Sequence, residues 1–341
     1  MAMATVMELP GVGEPETLTP RIRTLPDPGP TEALVRVEAT GVSFAEQQMR
    51  LGKYYDQPPF PFVPGYDIVG IVDALGGAPG AVAVGDRVAA LTKTGAWADR
   101  MILEVGDLVP VPDAVGAASA ETVVVNGLTA WRMLHRAAKV RAGQTIVVFG
   151  AAGGVGSTLT QLARHAGIRV IGVARPTQQA AVEALGATAV DYRSDDVPGR
   201  VRALAPSGVT AVFDHVGGPG IVASWRMLAR RGTLVSYGSA STKDIPGNSR
   251  LPILKLIARL VAWNLLPNGR RATFFNVWAG QKRHPDRFRA ELREDLGRVF
   301  DLLARGEITA QVAARYPLRE AASALRRAEA GGLTGKVVLV P

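Results

Sequence analysis

The sequence predicts an α/β chain in two parts, a β-rich unit and a doubly wound parallel sheet. Three observations predict it. Up to about residue 125 the apolar runs are short and separated by turn clusters such as Pro26-Asp27-Pro28-Gly29-Pro30, Pro64-Gly65 and Gly85-Asp86. From Leu128 onward, helix-period and strand-period segments alternate. The chain then closes on Gly335-Lys336-Val337-Val338-Leu339-Val340, an apolar strand expected to rejoin the first unit. The expected boundaries are 1–125 with 305–341 for the β-rich unit, and 126–304 for the parallel sheet.

In the first unit strands are expected at 33–39, 68–74, 87–91 and 107–111, with helical signal scarce until 117–121. The parallel sheet opens with Ile146-Val147-Val148-Phe149, an apolar run of the kind buried on both faces. A glycine-rich turn, a helix to His165 and a second strand over 169–173 complete a βαβ unit. Helices at 178–185, 197–204 and 221–230 then alternate with strands at 188–191, 211–214 and 234–237. Residues 251–266 read as an amphipathic helix with Lys255 and Arg259 one turn apart on its polar side, suited to a lid or to packing rather than to a membrane surface. A sixth strand is expected at 273–278 and a helix at 288–303.

The turn Gly150-Ala151-Ala152-Gly153-Gly154-Val155-Gly156 carries the first chemistry. Its spacing is G-x-x-G-x-x-G, and each glycine has a steric task. Gly150 lets the chain leave the strand sharply, Gly153 lets backbone N–H groups approach a pyrophosphate, and Gly156 lets the helix pack on its strand. The helix N-terminus then offers unpaired N–H donors and partial positive charge to phosphate. Strand, glycine string, helix and second strand in register form a dinucleotide fingerprint, with Ala152, Gly153, Gly154, Val155 and Gly156 as the expected phosphate loop. The second strand ends Val173-Ala174-Arg175-Pro176 without the acid that would bond a ribose 2′-hydroxyl. A carboxylate there would repel a 2′-phosphate, whereas Arg175 pairs with one, so NADPH is the expected cofactor.

Composition sets limits. A chain of 341 residues, 47% of them apolar, is long enough for two buried cores. It contains no cysteine, which excludes disulfides and thiolate zinc sites, and its histidines (His135, His165, His215, His284) do not cluster at ligand spacing. The first 15 residues carry no lysine or arginine and no continuous apolar core, so no secretory signal is expected and the chain reads as cytoplasmic. The formal charge of +9 is concentrated at 226–231 and 270–298. No RNA-binding motif accompanies it, so it reads as an arginine-rich surface plus a site for a polyanionic cofactor, with nucleic acid and membrane as the lesser expectation.

The motifs Gly41-Val42-Ser43-Phe44-Ala45, Gly52-Lys53-Tyr54-Tyr55, Pro64-Gly65-Tyr66-Asp67, Gly85-Asp86-Arg87-Val88, Asn126-Gly127-Leu128-Thr129-Ala130 and Gly335-Lys336-Val337 occur in this order with the glycine loop. Together they resemble the medium-chain dehydrogenase/reductase superfamily, in its zinc-independent quinone-oxidoreductase branch. Asn126, the 251–266 segment and Asn268-Gly269 look closest to the vesicle amine transport protein-like subgroup. The resemblance implies a GroES-like catalytic domain and a Rossmann domain. It also implies Tyr54 lining the substrate pocket as a hydrogen-bond donor. Asn126 and Thr129 would lie near the nicotinamide and Tyr192 near the adenosine phosphate, with Gly238 and Ser239 flanking the cofactor and Lys336 reaching it. Ser43 stands where asparagine is usual near the nicotinamide, Phe62 where some relatives have a second tyrosine, and Gln178 and Gln179 where many have a lysine. Relatives are commonly homodimers.

Zinc alcohol dehydrogenases of the superfamily carry Cys near Ser43 and Gly-His-Glu at Gly65-Tyr66-Asp67, so both departures remove metal ligands. Without a Lewis acid to stabilise an alkoxide, the expected chemistry is hydride transfer to an already activated acceptor, a quinone or α,β-unsaturated carbonyl. An enoyl-thioester reductase remains open as a variant. So does a non-catalytic NADPH-binding protein acting on nucleic acid or lipid.

Overall fold

The computed structural model describes residues 1–78, 80–193, 196–238, 240–242 and 250–341 and divides into two compact units. One comprises Met1–Leu128, Gly280–Gly331 and Gly335–Pro341, the other Thr129–Ala279 and Gly332–Thr334.

Among the described residues, the sheet of the second unit has six strands in the order Thr188–Asp191, Arg169–Ala174, Thr145–Phe149, Val209–Asp214, Leu228–Ser236, Arg271–Phe274. All neighbours pair in parallel. The chain works outward from Thr145–Phe149 to one side and then resumes at Val209–Asp214 on the other. The strand order therefore reverses between these two, and the crevice beyond the carboxyl ends of such strands is where an open parallel sheet takes its ligand. Ile146, Val147 and Val148 are fully buried, as a run without polar alternation requires. The core continues through Ile171, Val212, Leu234 and Trp225, with the Trp225 ring stacked on Trp263 at 4.9 Å. Truncating a fully buried residue such as Leu234 to alanine costs about 2–5 kcal/mol.

In the first unit a seven-stranded sheet, counted over the described residues, runs Val312–Pro317, Lys336–Val340, Glu32–Val42, Asp67–Leu75, Arg87–Leu91, Val109–Pro110, with Arg100–Glu104 also on Glu32–Val42. The final strand pairs antiparallel with Glu32–Val42, Val337 opposite Val42 and Leu339 opposite Thr40. That register brings the end of the chain back to the start of the fold.

Several elements differ from the sequence reading. The hairpin Ala2–Glu8 with Thr19–Leu25 has no tight-turn signal and an arginine-bearing second strand exposed along most of its length, so it lacks the alternation that marks a half-buried strand. Helix Ile221–Met227 stops before Arg230 because Leu228 enters the sheet opposite Val209. The sixth strand is Arg271–Phe274 rather than 273–278, since the Asn276 side chain turns the chain by accepting the Trp278 N–H at 3.0 Å. Helix Pro285–Ala304, expected with the parallel sheet, groups with the first unit. There the Arg289 Nε donates to Asp107 at 2.7 Å, and Val299 packs on Gly127 so closely that a Cβ on the glycine would lie 2.8 Å away.

Candidate functional site

In the second unit the glycine loop leaves strand Thr145–Phe149 at the switch point. Gly150 has φ of 65° and lies under the His215 ring, where a Cβ would come within 2.5 Å of Cε1. A Cβ on Gly156 would overlap the Gly150 carbonyl oxygen, so the helix can seat this close to the strand only with glycine there. Helix Gly154–His165 follows, and its N-cap Gly153 has no side chain to satisfy the first-turn N–H groups. They are left as donors at the carboxyl edge of the sheet, a cradle whose shape and polarity fit a pyrophosphate.

Beside it, the Arg169–Ala174 strand delivers Arg175, and Thr188–Asp191 delivers Tyr192. The Tyr192 N–H donates to the Ala174 carbonyl at 3.2 Å, which sets the two residues side by side. Tyr192 is 45% exposed, so its ring is available to a ligand. The Gln178 amide donates to the Leu333 carbonyl at 2.6 Å, which gives this side chain a structural task. No carboxylate occupies 174–179, which suits a 2′-phosphate.

The next strand ends at Asp214, a buried carboxylate that accepts the N–H groups of Val216 (2.8 Å) and Gly217 (2.9 Å) and the Ser224 hydroxyl (2.6 Å). This fixes the turn that carries His215. Burial holds the His215 imidazole below its ordinary pKa, and the attraction of Asp214 and a hydrogen bond to the Phe149 backbone oppose this only in part. A neutral ring over the loop adds no competing charge. A Cβ on Gly238 would lie 2.6 Å from the His215 carbonyl oxygen, so this glycine is also sterically required. Ser239 lies outside the described residues.

In the first unit Ser43 caps helix Phe44–Arg50. Its Oγ accepts from the Ala45 N–H at 3.2 Å and contacts Glu46 Oε2, which also accepts the Ser43 N–H at 2.9 Å. Behind it lies a buried charge cluster. Lys336 Nζ donates to both Asp67 oxygens (2.9 and 2.8 Å) and to Glu121 Oε1 (2.5 Å), and Asp67 Oδ2 also accepts the Val125 N–H at 2.9 Å. A Cβ on Gly41 would overlap the Lys336 Cε, so the cluster depends on that glycine.

Glu46, Asp67, Glu121 and Lys336 are each at most 3% exposed, three acids against one base. Burial raises the Glu46 and Glu121 carboxyls above the ordinary range, outweighing the opposing hydrogen bond from Ser43 and the attraction of Lys336. Burial alone would lower Lys336, but the attraction of Asp67 and Glu121 overrides it and holds the ammonium charged. Lys336 thus pairs with Asp67 and Glu121, while burial pushes the Glu46 and Glu121 carboxyls toward their neutral forms. Lys336, expected at the cofactor, is instead held in this ion cluster, its ammonium taken by acids the sequence reading did not join to it.

Tyr54 follows Gly52, whose φ of 66° turns the chain out of helix Phe44–Arg50. The Tyr54 and Tyr66 hydroxyls are 2.8 Å apart, with rings edge to face at 6.5 Å. Gly65, at φ 109°, places Tyr66 where a Cβ on the glycine would come within 2.5 Å of the Trp97 nitrogen. Burial, with Tyr66 and Tyr55 adding to it, pushes the Tyr54 phenol well above its ordinary pKa, so it stays protonated. Tyr66 was not among the expected site residues, although Gly65-Tyr66-Asp67 signalled its position. Asn126 is buried, its amide donating to the Thr122 carbonyl at 3.2 Å, and Thr129 lies one turn further along helix Val125–Trp131.

These residues do not fit the zinc ion of the alcohol dehydrogenases. At the positions of its ligands, the Ser43 hydroxyl is engaged by Glu46, the Tyr66 hydroxyl by Tyr54, and Asp67 by the Lys336 ammonium.

Comparisons with known proteins agree with the geometry. Residues 29–126 match the alcohol dehydrogenase GroES-like domain, and 185–339 a family described as zinc-binding dehydrogenase. Mycobacterial Rv1454c, solved in complex with NADPH, is 33% identical, with a TM-score of 0.83 covering 99% of this chain and 100% of that one. The Escherichia coli quinone oxidoreductase complexed with NADPH is 27% identical, with a TM-score of 0.85 over 99% and 100% of the two chains. The human synaptic vesicle membrane protein VAT-1 homolog is 29% identical over 324 residues, 93% of this chain and 80% of that protein. The phthioceranic/hydroxyphthioceranic acid synthase of Mycobacterium tuberculosis is 33% identical over 322 residues, 92% of this chain but only 14% of the synthase. The chain therefore belongs to the medium-chain dehydrogenase/reductase superfamily and, within it, to the quinone oxidoreductase and VAT-1-like family of oxidoreductases.

Proposed function

We propose that the protein is an NADPH-dependent reductase of quinones or α,β-unsaturated carbonyls. The observation that carries this reading is the edge of the parallel sheet, where an uncapped helix N-terminus meets Arg175 on a strand end, 174–179, that holds no carboxylate. Ala152 to Gly156 would hold the pyrophosphate, Ala174, Arg175 and Tyr192 the 2′-phosphate end, and Asn126 and Thr129 the nicotinamide portion, with Gly238 flanking the cofactor. NADPH supplies a hydride when bound. Of the paired hydroxyls of Tyr54 and Tyr66, one would donate to its partner and the other to the acceptor oxygen as charge develops on it. Ser43, held by Glu46, would line the same region.

A second reading, an enoyl-thioester reductase, is favoured by the likeness to one segment of the mycobacterial synthase. Following NADPH oxidation with a quinone, a simple enone and a crotonyl thioester ranks the acceptors. Turnover of the quinone or the enone ahead of the thioester is expected, and turnover of none would remove the reductase reading.

A further inference from the structure

The second unit holds a cavity of about 180 Å³ at the opposite edge of its sheet, by the amino-terminal ends of Val209–Asp214 and Leu228–Ser236. Val201, Ala205 and Leu228 form part of its apolar lining, and Arg202, Arg226 and Arg270 supply its charge. Among the described residues the lining contains no carboxylate. Arg270 is built in: its Nε and Nη1 donate to the Ala229 and Trp225 carbonyls at 3.3 Å, and its guanidinium lies 5.7 Å from the Trp225 ring centre. Arg202 and Arg226 line it from exposed positions.

Helices Val197–Leu204 and Ile221–Met227 both end here, and each carboxyl end carries about half a negative charge. Three guanidinium groups against two such ends leave roughly two positive charges uncompensated. Ordinary small-molecule pockets are roughly 300–1,000 Å³, so this cavity admits only a small group. A compact dianion meets both conditions, and guanidinium forks match phosphate oxygens in pairs.

We propose that this cavity is a phosphoryl-binding site separate from the dinucleotide cradle, taking either free phosphate or the phosphate of a small ester. The test is calorimetric titration of NADPH-saturated protein with inorganic phosphate and with butyl phosphate, at ionic strength held constant with chloride. One site per chain is expected. Arg202→Ala and Arg226→Ala, both at exposed positions, should each raise Kd about tenfold or more while leaving NADPH affinity unchanged. Tighter binding of butyl phosphate would assign the site to an ester whose chain lies on Val201, Ala205 and Leu228, and equal binding to free phosphate. No phosphate binding, or binding indifferent to both substitutions, would overturn the proposal.

Discussion

Glu121 and Glu46 are the residues whose chemistry the sequence concealed most completely. Both carboxyls are raised above their ordinary value of 4.5, so the folded chain binds more protons than the unfolded one. The stability they contribute is complete below that value and is lost as pH rises through the raised folded-state pKa, by up to ~1.4 kcal/mol per unit per group. Glu121→Gln removes one of these titrations. Urea unfolding should therefore show the variant gaining on the parent between pH 5 and pH 8, and a constant difference would refute the upward shift of the Glu121 carboxyl. The tyrosine pair makes a second residue-scale prediction. Tyr54→Phe and Tyr66→Phe should each lower kcat about 10-fold or more with NADPH affinity unchanged, as loss of a donor to developing charge requires. Unaltered kcat in both would take the phenols out of the reaction.

At the scale of elements, the glycine loop was legible because its steric demands act over a few consecutive residues. Gly156 can be read as indispensable from spacing alone, and the overlap of its would-be Cβ with the Gly150 carbonyl gives the reason. Gly156→Ala should cost about 1–3 kcal/mol of stability through overpacking and weaken NADPH binding about tenfold or more, checked by thermal unfolding and titration. The Asp67–Glu121–Lys336 cluster was not legible. Its members are 215 to 269 residues from Lys336 in sequence, and only the antiparallel register of the final strand unites them. His215 was likewise noted only as a histidine outside any cluster, because its place over Gly150 depends on the parallel alignment of strands whose paired residues are 65 apart in sequence. The short helix Phe44–Arg50 was missed although Ser43 and Glu46 form a capping box at its start, a signal present in the sequence and outweighed there by the surrounding strand pattern.

For the whole molecule, the decisive question is which dinucleotide the chain selects. The formal charge of +9 raises the affinity for any polyanion, so cofactor choice must come from the local arrangement at Arg175 rather than from net charge. Arg175→Asp separates the two effects, since it alters the total by two charges and places a carboxylate where the strand ends. The account is tested most directly by calorimetric titration of the parent and of this variant with NADPH and NADH. The predicted result is one NADPH site per chain, at least about tenfold tighter than NADH, with the preference lost or reversed in the variant. No uptake of either nucleotide, or a preference that Arg175→Asp leaves unchanged, would contradict it.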